Sequence, residues 1–192
     1  MCQTRNHKSI ESLELSLDRV NTWIGNCDQK AGFLLATIGI VLAILFATDF
    51  VNEVKDKIVE PFMKCVQESN HYEFCCTRFF FSISLVLSIL TCVVSSVYAL
   101  FTISAKLNAK ELSEVNPSLM SDSYLFFQTI SSKSYDVFSK FEGVEYQKDL
   151  MGQIYINSSI CSKKFGFYKI ALRWFYAVIF NIAVMYVLYL FI

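Results

Sequence analysis

Glycine and proline are scarce in this chain, at 6 and 2 of its 192 residues. So few breakers leave room for long uninterrupted helices and exclude Gly-rich or Pro-rich low-complexity architectures. The same scarcity removes the glycine-rich phosphate loops of Walker and dinucleotide-binding type, neither of which occurs. Histidine is limited to two residues, His7 and His71, neither at a recognisable catalytic or metal-ligand spacing. No Gly-x-Ser-x-Gly turn is present. The acid pair Glu142 and Glu145 falls at an expected helix start, where carboxylates favour the macrodipole without a catalytic role. No catalytic residue, cofactor or metal is expected, and no nucleic-acid partner.

Charge is missing from three blocks. Ala31–Thr48, Phe79–Ala105 and Trp174–Ile192 contain no Asp, Glu, Lys, Arg or His. The shortest of them, 18 residues from Ala31 to Thr48, makes a helix about 27 Å long, enough to cross most of a bilayer core of about 30 Å. None of the three blocks carries an ionisable group for a proton relay or an ion-coupled carrier, which disfavours a secondary transporter. The first block starts about thirty residues in, behind a charged helix, which argues against a cleaved signal peptide. The expected fold class is therefore all-α: an integral membrane protein with three transmembrane helices and a small cytoplasmic helical bundle. The expected division is 1–30 amphipathic helix, 31–48 span, 49–78 outer loop, 79–105 span, 106–173 cytoplasmic helical region and 174–192 span.

The distribution of charge gives an orientation. Lys and Arg divide as four before Ala31, four in Asp49–Arg78 and nine in Lys106–Arg173, and the acids as four, six and seven. Arg19, Lys30, Lys106, Lys110, Lys163, Lys164, Lys169 and Arg173 crowd the membrane on one side. By the positive-inside rule that side is cytoplasmic, with the N-terminus and the long second connection inside. The first loop and the C-terminus then lie outside. In the outer loop Cys65 is placed to form a disulfide with Cys75 or Cys76 if that compartment oxidises.

Before the first span the apolar positions Ile10, Leu13, Leu17, Val20, Ile24, Cys27 and Ala31 step by three and four, one stripe of an amphipathic helix. The helix continues into lipid without a turn signal, across Trp23, Asn26, Asp28 and Lys30. From Val144 a second long helical pattern, with Leu150, Ile154, Asn157, Cys161, Phe165 and Tyr168 near one side, runs straight into the last span. The two stripes are expected to pack together, with the short aromatic segments Tyr124–Ile130 and Tyr135–Phe141 filling the gap. Within the first span Gly32, Ala36, Gly39, Ala43 and Ala47 lie near one face, where small residues let another span approach, in the same chain or another subunit. In the second span Ser84, Ser88, Thr91, Ser95 and Thr102 share a side; packing and back-bonding to the preceding turn account for them more simply than a pore lining.

Two polar clusters flank the membrane. One is Trp23, Asn26, Asp28 and Lys30; the other is Asp149, Gln153 and Asn157, with Lys163 and Lys164 nearer the lipid. The simple reading is a solvated helix face, an interfacial Trp and snorkelling lysines. Yet amides, and lysines beside aromatic faces, are also what a small phosphorylated ligand carrying a base requires.

At these residues the chain resembles the Pycsar transmembrane effectors of bacterial anti-phage defence. The resemblance rests on three segments in order: Arg19-Val20-Asn21, Trp23, Asn26, Asp28 and Lys30-Ala31 leading into a span; Tyr124–Ile130 followed by Ser134-Tyr135; and Asp149-Leu150, Gln153-Ile154, Asn157-Ser158 and Cys161-Ser162-Lys163-Lys164-Phe165 flowing into the last span. It implies an effector switched on by cyclic CMP or cyclic UMP from a neighbouring pyrimidine cyclase. Membrane disruption at the inner membrane, abortive infection and cell death would follow. The nine polar residues above are then the candidates for ligand binding or signal coupling, and assembly into a homo-oligomer is expected. Two alternatives stand beside this reading: a structural membrane adaptor that binds a protein partner, and a holin-like pore, both without nucleotide binding.

Overall fold

The computed structural model of the chain describes residues 2–60, Met63, 72–105, 123–125, 127–139 and 144–191. The elements, in order, are α1 Cys2–Leu45, α2 Thr48–Val54 running into a π-helical turn Lys55–Val59, α3 Tyr72–Ser104, α4 Phe127–Ser132, α5 Tyr135–Phe138 and α6 Val144–Tyr189. No strand occurs among the described residues. Asn116-Pro117, where the proline disfavours helical geometry in the residue before it, and residues Cys65 and His71 lie outside them.

Three helices, within Ile10–Leu45, Thr77–Ser104 and Glu145–Tyr189, are long and apolar enough to cross a membrane. At 44 and 46 residues, α1 and α6 are about 66 and 69 Å long, more than twice the hydrocarbon core. A crossing by either one leaves half of its length in water, which is why each combines an amphipathic half with an apolar half. The chain forms two units, Met1–Gln29 with Thr102–Gly166 and Lys30–Phe101 with Phe167–Ile192.

In the second unit the core is a heptad-like seam. On α1 the buried residues are Ala31, Leu34, Ile38 and Leu45, spaced three, four and seven apart. On α6 Ala171, Val178 and Met185 repeat every seven. Such spacing keeps one seam turned toward neighbouring helices. The hydroxyl residues of α3 fill the third side. Ser84 Oγ donates to the Asn181 carbonyl at 3.2 Å and Ser95 Oγ to that of Ala171 at 2.9 Å. The pairing runs in opposite directions along the chain, so α3 and α6 are antiparallel here. Ser88 and Thr91 donate to Ser84 O and Leu87 O one turn back. The hydroxyl stripe is thus a packing surface, since small side chains let α3 come close enough to reach another helix's backbone.

A short strap covers the end of this bundle near Leu45. α2 and the π-turn place Phe50, Val54 and Ile58 four residues apart, and Ile58 is fully buried with Leu45, Phe81 and Met185. The Tyr189 hydroxyl donates to Glu53 Oε1 at 2.5 Å. The outer faces of the helices are apolar: Phe33, Ile40, Val86, Leu90, Ile179 and Phe180 are all exposed. In water each such side chain would forfeit the roughly 1.5–3 kcal/mol that burial supplies; lipid removes that cost. The small residues Ala36, Gly39, Ala43 and Ala47 also face outward, and a methyl group built on Gly32 or Gly39 meets nothing within 4 Å. Among the described residues nothing covers that face.

Candidate functional site

The first unit holds all but one of the nine polar residues named from the sequence. Its frame is α1 against α6, and three side-chain contacts give their register. Tyr146 Oη donates to Glu14 Oε1 at 2.6 Å, Asn157 Nδ2 to Asn21 Oδ1 at 2.8 Å, and Lys164 Nζ to Asp28 Oδ1 at 2.6 Å. Glu14, Asn21 and Asp28 are seven apart, as are Asn157 and Lys164. Both sets ascend together, so the two helices run parallel with a coiled-coil register. The buried residues Val20 and Cys27 of α1 and Leu150 and Cys161 of α6 supply the apolar part. Ile10, Leu13, Leu17 and Ile24 are partly buried behind them.

Lys164 is the most constrained group in this unit. It occupies the core repeat Leu150–Asn157–Lys164, and its side chain is only 4% exposed. The ammonium has three protons to donate, and all three are used: to Asp28 Oδ1 at 2.6 Å, and to the carbonyls of Thr102 and Ile103 at 2.9 Å each. Those carbonyls belong to the last turn of α3, which carries the negative end of the helix dipole. One buried cation therefore ties together the end of α3, α1 and α6. Its aspartate partner is held more loosely. Asp28 is 36% exposed and makes no other hydrogen bond among the described residues.

Asp149 is the second buried charge, 2% exposed. Its Oδ2 accepts from Ser123 Oγ at 3.1 Å, from the Tyr124 backbone N–H at 2.7 Å and from that of Leu125 at 3.1 Å. One turn on, Gln153 Nε2 donates to Ser123 Oγ at 2.9 Å. Three donors on one carboxylate oxygen make burial of the charge tolerable. The pair Asp149 and Gln153 clamps the 123–125 segment onto α6. Lys133 then lies over the Tyr124 ring, 3.1 Å from its centroid, a cation–π contact. Of the segment Tyr135–Phe141, expected to fill the gap, Tyr135 and Val137 are exposed; Phe141 lies outside the described residues. A helix of one turn, whose Ser134 N-cap makes no side-chain bond, has no broad face to bury.

The nine candidates thus separate into two sets. Asp28, Lys164, Asp149, Gln153 and Asn157 are engaged with other protein groups. Trp23, Asn26, Lys30 and Lys163 are exposed. Glu14, Ser123, Tyr146 and the α3 carbonyls complete the contacts and escaped the motif-based reading, while Asn21 stood in the Arg19-Val20-Asn21 motif but not among the nine candidates. The signal for Glu14 and Asn21 was their seven-residue spacing from Asp28; nothing in the sequence marked Ser123. A shallow groove of about 480 Å³ on α3, lined by Phe79, Ser82, Ile83, Val86, Leu87 and Leu90, is almost wholly apolar and offers no partner for an anion. No group of three or more His, Cys, Asp or Glu positioned for a metal occurs among the described residues.

The fold and this junction define a class: a helical membrane protein with three candidate spans and a polar helical unit built from two of them. Comparison with known proteins gives the family. The Pycsar effector protein domain matches residues 12–63 and 69–192, and the chain belongs to that family. A curated relative, the Pycsar effector protein GmPycTM of Gulbenkiania mobilis, is 32% identical over 167 residues, covering 84% of this chain and 83% of the relative. No solved structure matches. The chain is a Pycsar transmembrane effector of anti-phage defence.

Proposed function

We propose that this effector binds a cyclic pyrimidine mononucleotide, cyclic CMP or cyclic UMP, in its first unit, and that binding makes the spans disrupt the bacterial inner membrane. Abortive infection and death of the cell follow. The signal comes from a pyrimidine cyclase acting beside it, and the N-terminus faces the cytoplasm where that cyclase works. The observation that carries the reading is that α1 and α6 are each one unbroken helix from the polar contacts at Asn21 and Asn157 to the apolar seam at Ile38 and Val178. A change in how these helices cross in the polar half has a rigid path into the apolar half.

Magnitude favours assembly. Moving a two-state protein from 1:99 to 99:1 needs about 5.5 kcal/mol of differential binding. A single small ligand on a monomer supplies that with difficulty, whereas several linked sites share the demand. We place the contact between copies on the outward small-residue face of α1, Gly32, Ala36, Gly39 and Ala43, which the described residues leave open.

Equilibrium binding of the purified full-length protein in lipid nanodiscs to labelled cyclic CMP and cyclic UMP, with cyclic AMP as control, tests the ligand. Saturable binding of one or both pyrimidines over cyclic AMP is expected. Equal binding of all three, or none, contradicts the reading.

A further inference from the structure

We infer that Asp28 is a built-in occupant of an anion site whose cation is Lys164, and that a phosphodiester monoanion displaces it. This deepens the proposed function by naming the atom that receives the ligand's phosphate, and it rests on that reading for the ligand's identity.

The pair is asymmetric. Lys164 is fixed: it is buried, it stands on the core repeat of α6, and two of its protons are committed to main-chain carbonyls at the end of α3. Main-chain acceptors in a helix terminus cannot leave without unwinding it. The third proton goes to a side chain that is one-third exposed and held by that single bond. Of the three partners, only the Asp28 carboxylate can swing away. What it vacates is a position 2.6 Å from a buried ammonium, matched in charge and geometry to a singly charged oxygen anion.

Chemistry then selects the occupant. A neutral ligand would leave Lys164 with an unmatched charge in a dry setting, which is costly. A dianion would bring a second charge beside two carbonyl dipoles and beside Asp28 itself. A phosphodiester carries one charge and two equivalent oxygens, one for Lys164 and one left for water. Both a cyclic nucleotide and a phospholipid headgroup present that group, and the position of Lys164 on a helix that enters the membrane makes both reachable.

Displacement also explains how binding could act on the fold. The Lys164–Asp28 bond joins α6 to α1, so an anion that takes over Lys164 releases α1 from α6 at that level while leaving the tie to α3 intact. A protein whose competent form is only a fraction of the population binds weaker by that fraction. If Asp28 holds the site about nine-tenths of the time, removing its charge tightens binding on the order of tenfold.

The test is Asp28→Asn in the full-length protein in nanodiscs of neutral lipid, with affinity measured for labelled cyclic CMP and cyclic UMP. The amide keeps the size of the side chain and removes the competing charge. Tighter binding than the unsubstituted protein, with Lys164→Arg retaining binding, is the expected result. Unchanged or weaker binding by Asp28→Asn overturns the inference, because a merely structural pair loses affinity when it is cut. Nanodiscs containing phosphatidylglycerol form a second arm. Competition by that lipid in the unsubstituted protein, kept in Lys163→Met and strengthened in Asp28→Asn, assigns the site to a headgroup as well. If the unsubstituted protein binds no cyclic pyrimidine, the functional reading fails. The anion site then stands or falls on whether Asp28→Asn tightens the phosphatidylglycerol interaction.

Discussion

Lys164 and Asp28 are 136 residues apart in the chain and 2.6 Å apart in the fold. The bond joins the two long helices at the level where α3 ends, and the same ammonium caps α3 through Thr102 and Ile103. A charge at a core position of a helical repeat lowers stability relative to an apolar residue but fixes register and partner. Here it also donates to two carbonyls in the last turn of a membrane helix.

Removing this cation is expected to cost more than any surface change. Lys164→Met keeps the length and apolar stem but removes the donor to Asp28 and to the Thr102 and Ile103 carbonyls. Asp28 is one-third exposed and can turn to water. The expected loss is therefore that of hydrogen bonds from a charged group, about 1.5–3 kcal/mol, a sizeable part of the roughly 5–15 kcal/mol that holds a domain folded. Thermal unfolding in nanodiscs should show a marked fall in midpoint for Lys164→Met and little change for the exposed neighbour Lys163→Met. Equal midpoints for the two variants would remove Lys164 from the centre of the account.

Asp149→Asn tests the clamp on the 123–125 segment. The substitution keeps one acceptor oxygen but loses the charge that strengthens three hydrogen bonds, an expected loss of about 1.5–3 kcal/mol. The effect should be local. Hydrogen exchange at the Tyr124 and Leu125 amides should accelerate strongly, while exchange in the apolar half of α6 stays the same. Uniform acceleration along α6 would show that the clamp supports the whole helix instead.

Assembly on α1 is tested at Gly39. The glycine has open space around it, so Gly39→Leu should leave the fold of the single chain intact, and Gly39→Ala should favour the helix slightly. If copies meet on this face, Leu should abolish chemical cross-linking between chains in membranes while Ala reduces it less. Unchanged cross-linking with Leu would place the contact elsewhere.

Much of the architecture was legible from residue order alone. Charge-free blocks mark the spans because lipid tolerates no isolated charge, and the three-and-four spacing from Ile10 to Ala31 marks the inner stripe of α1. The helical pattern from Val144, with Glu142 and Glu145 at its start, marks α6. What the sequence hid was partnership. Asp28 and Lys164 looked like two members of two separate surface clusters, since nothing local reports that a lysine is buried. The parallel register of α1 and α6 could have been found from the shared seven-residue steps of Glu14, Asn21 and Asp28 and of Asn157 and Lys164. The Ser123 contact with Asp149 joins a loop to a helix 26 residues on and has no periodic signature. The strap residues Phe50, Val54 and Ile58 were equally silent, because a short helix in a charged loop reads as exposed until the bundle end beneath it is known.

The account's central claim is that a cyclic pyrimidine nucleotide converts this fold into one that breaches a membrane. The most direct measurement is dye release from lipid vesicles containing the purified full-length protein, followed on adding cyclic CMP, cyclic UMP or cyclic AMP. The account predicts release with at least one cyclic pyrimidine, none with cyclic AMP, and a dose–response shifted to lower concentration by Asp28→Asn. Vesicles that stay sealed with both pyrimidines, or leak equally before any nucleotide is added, would contradict it.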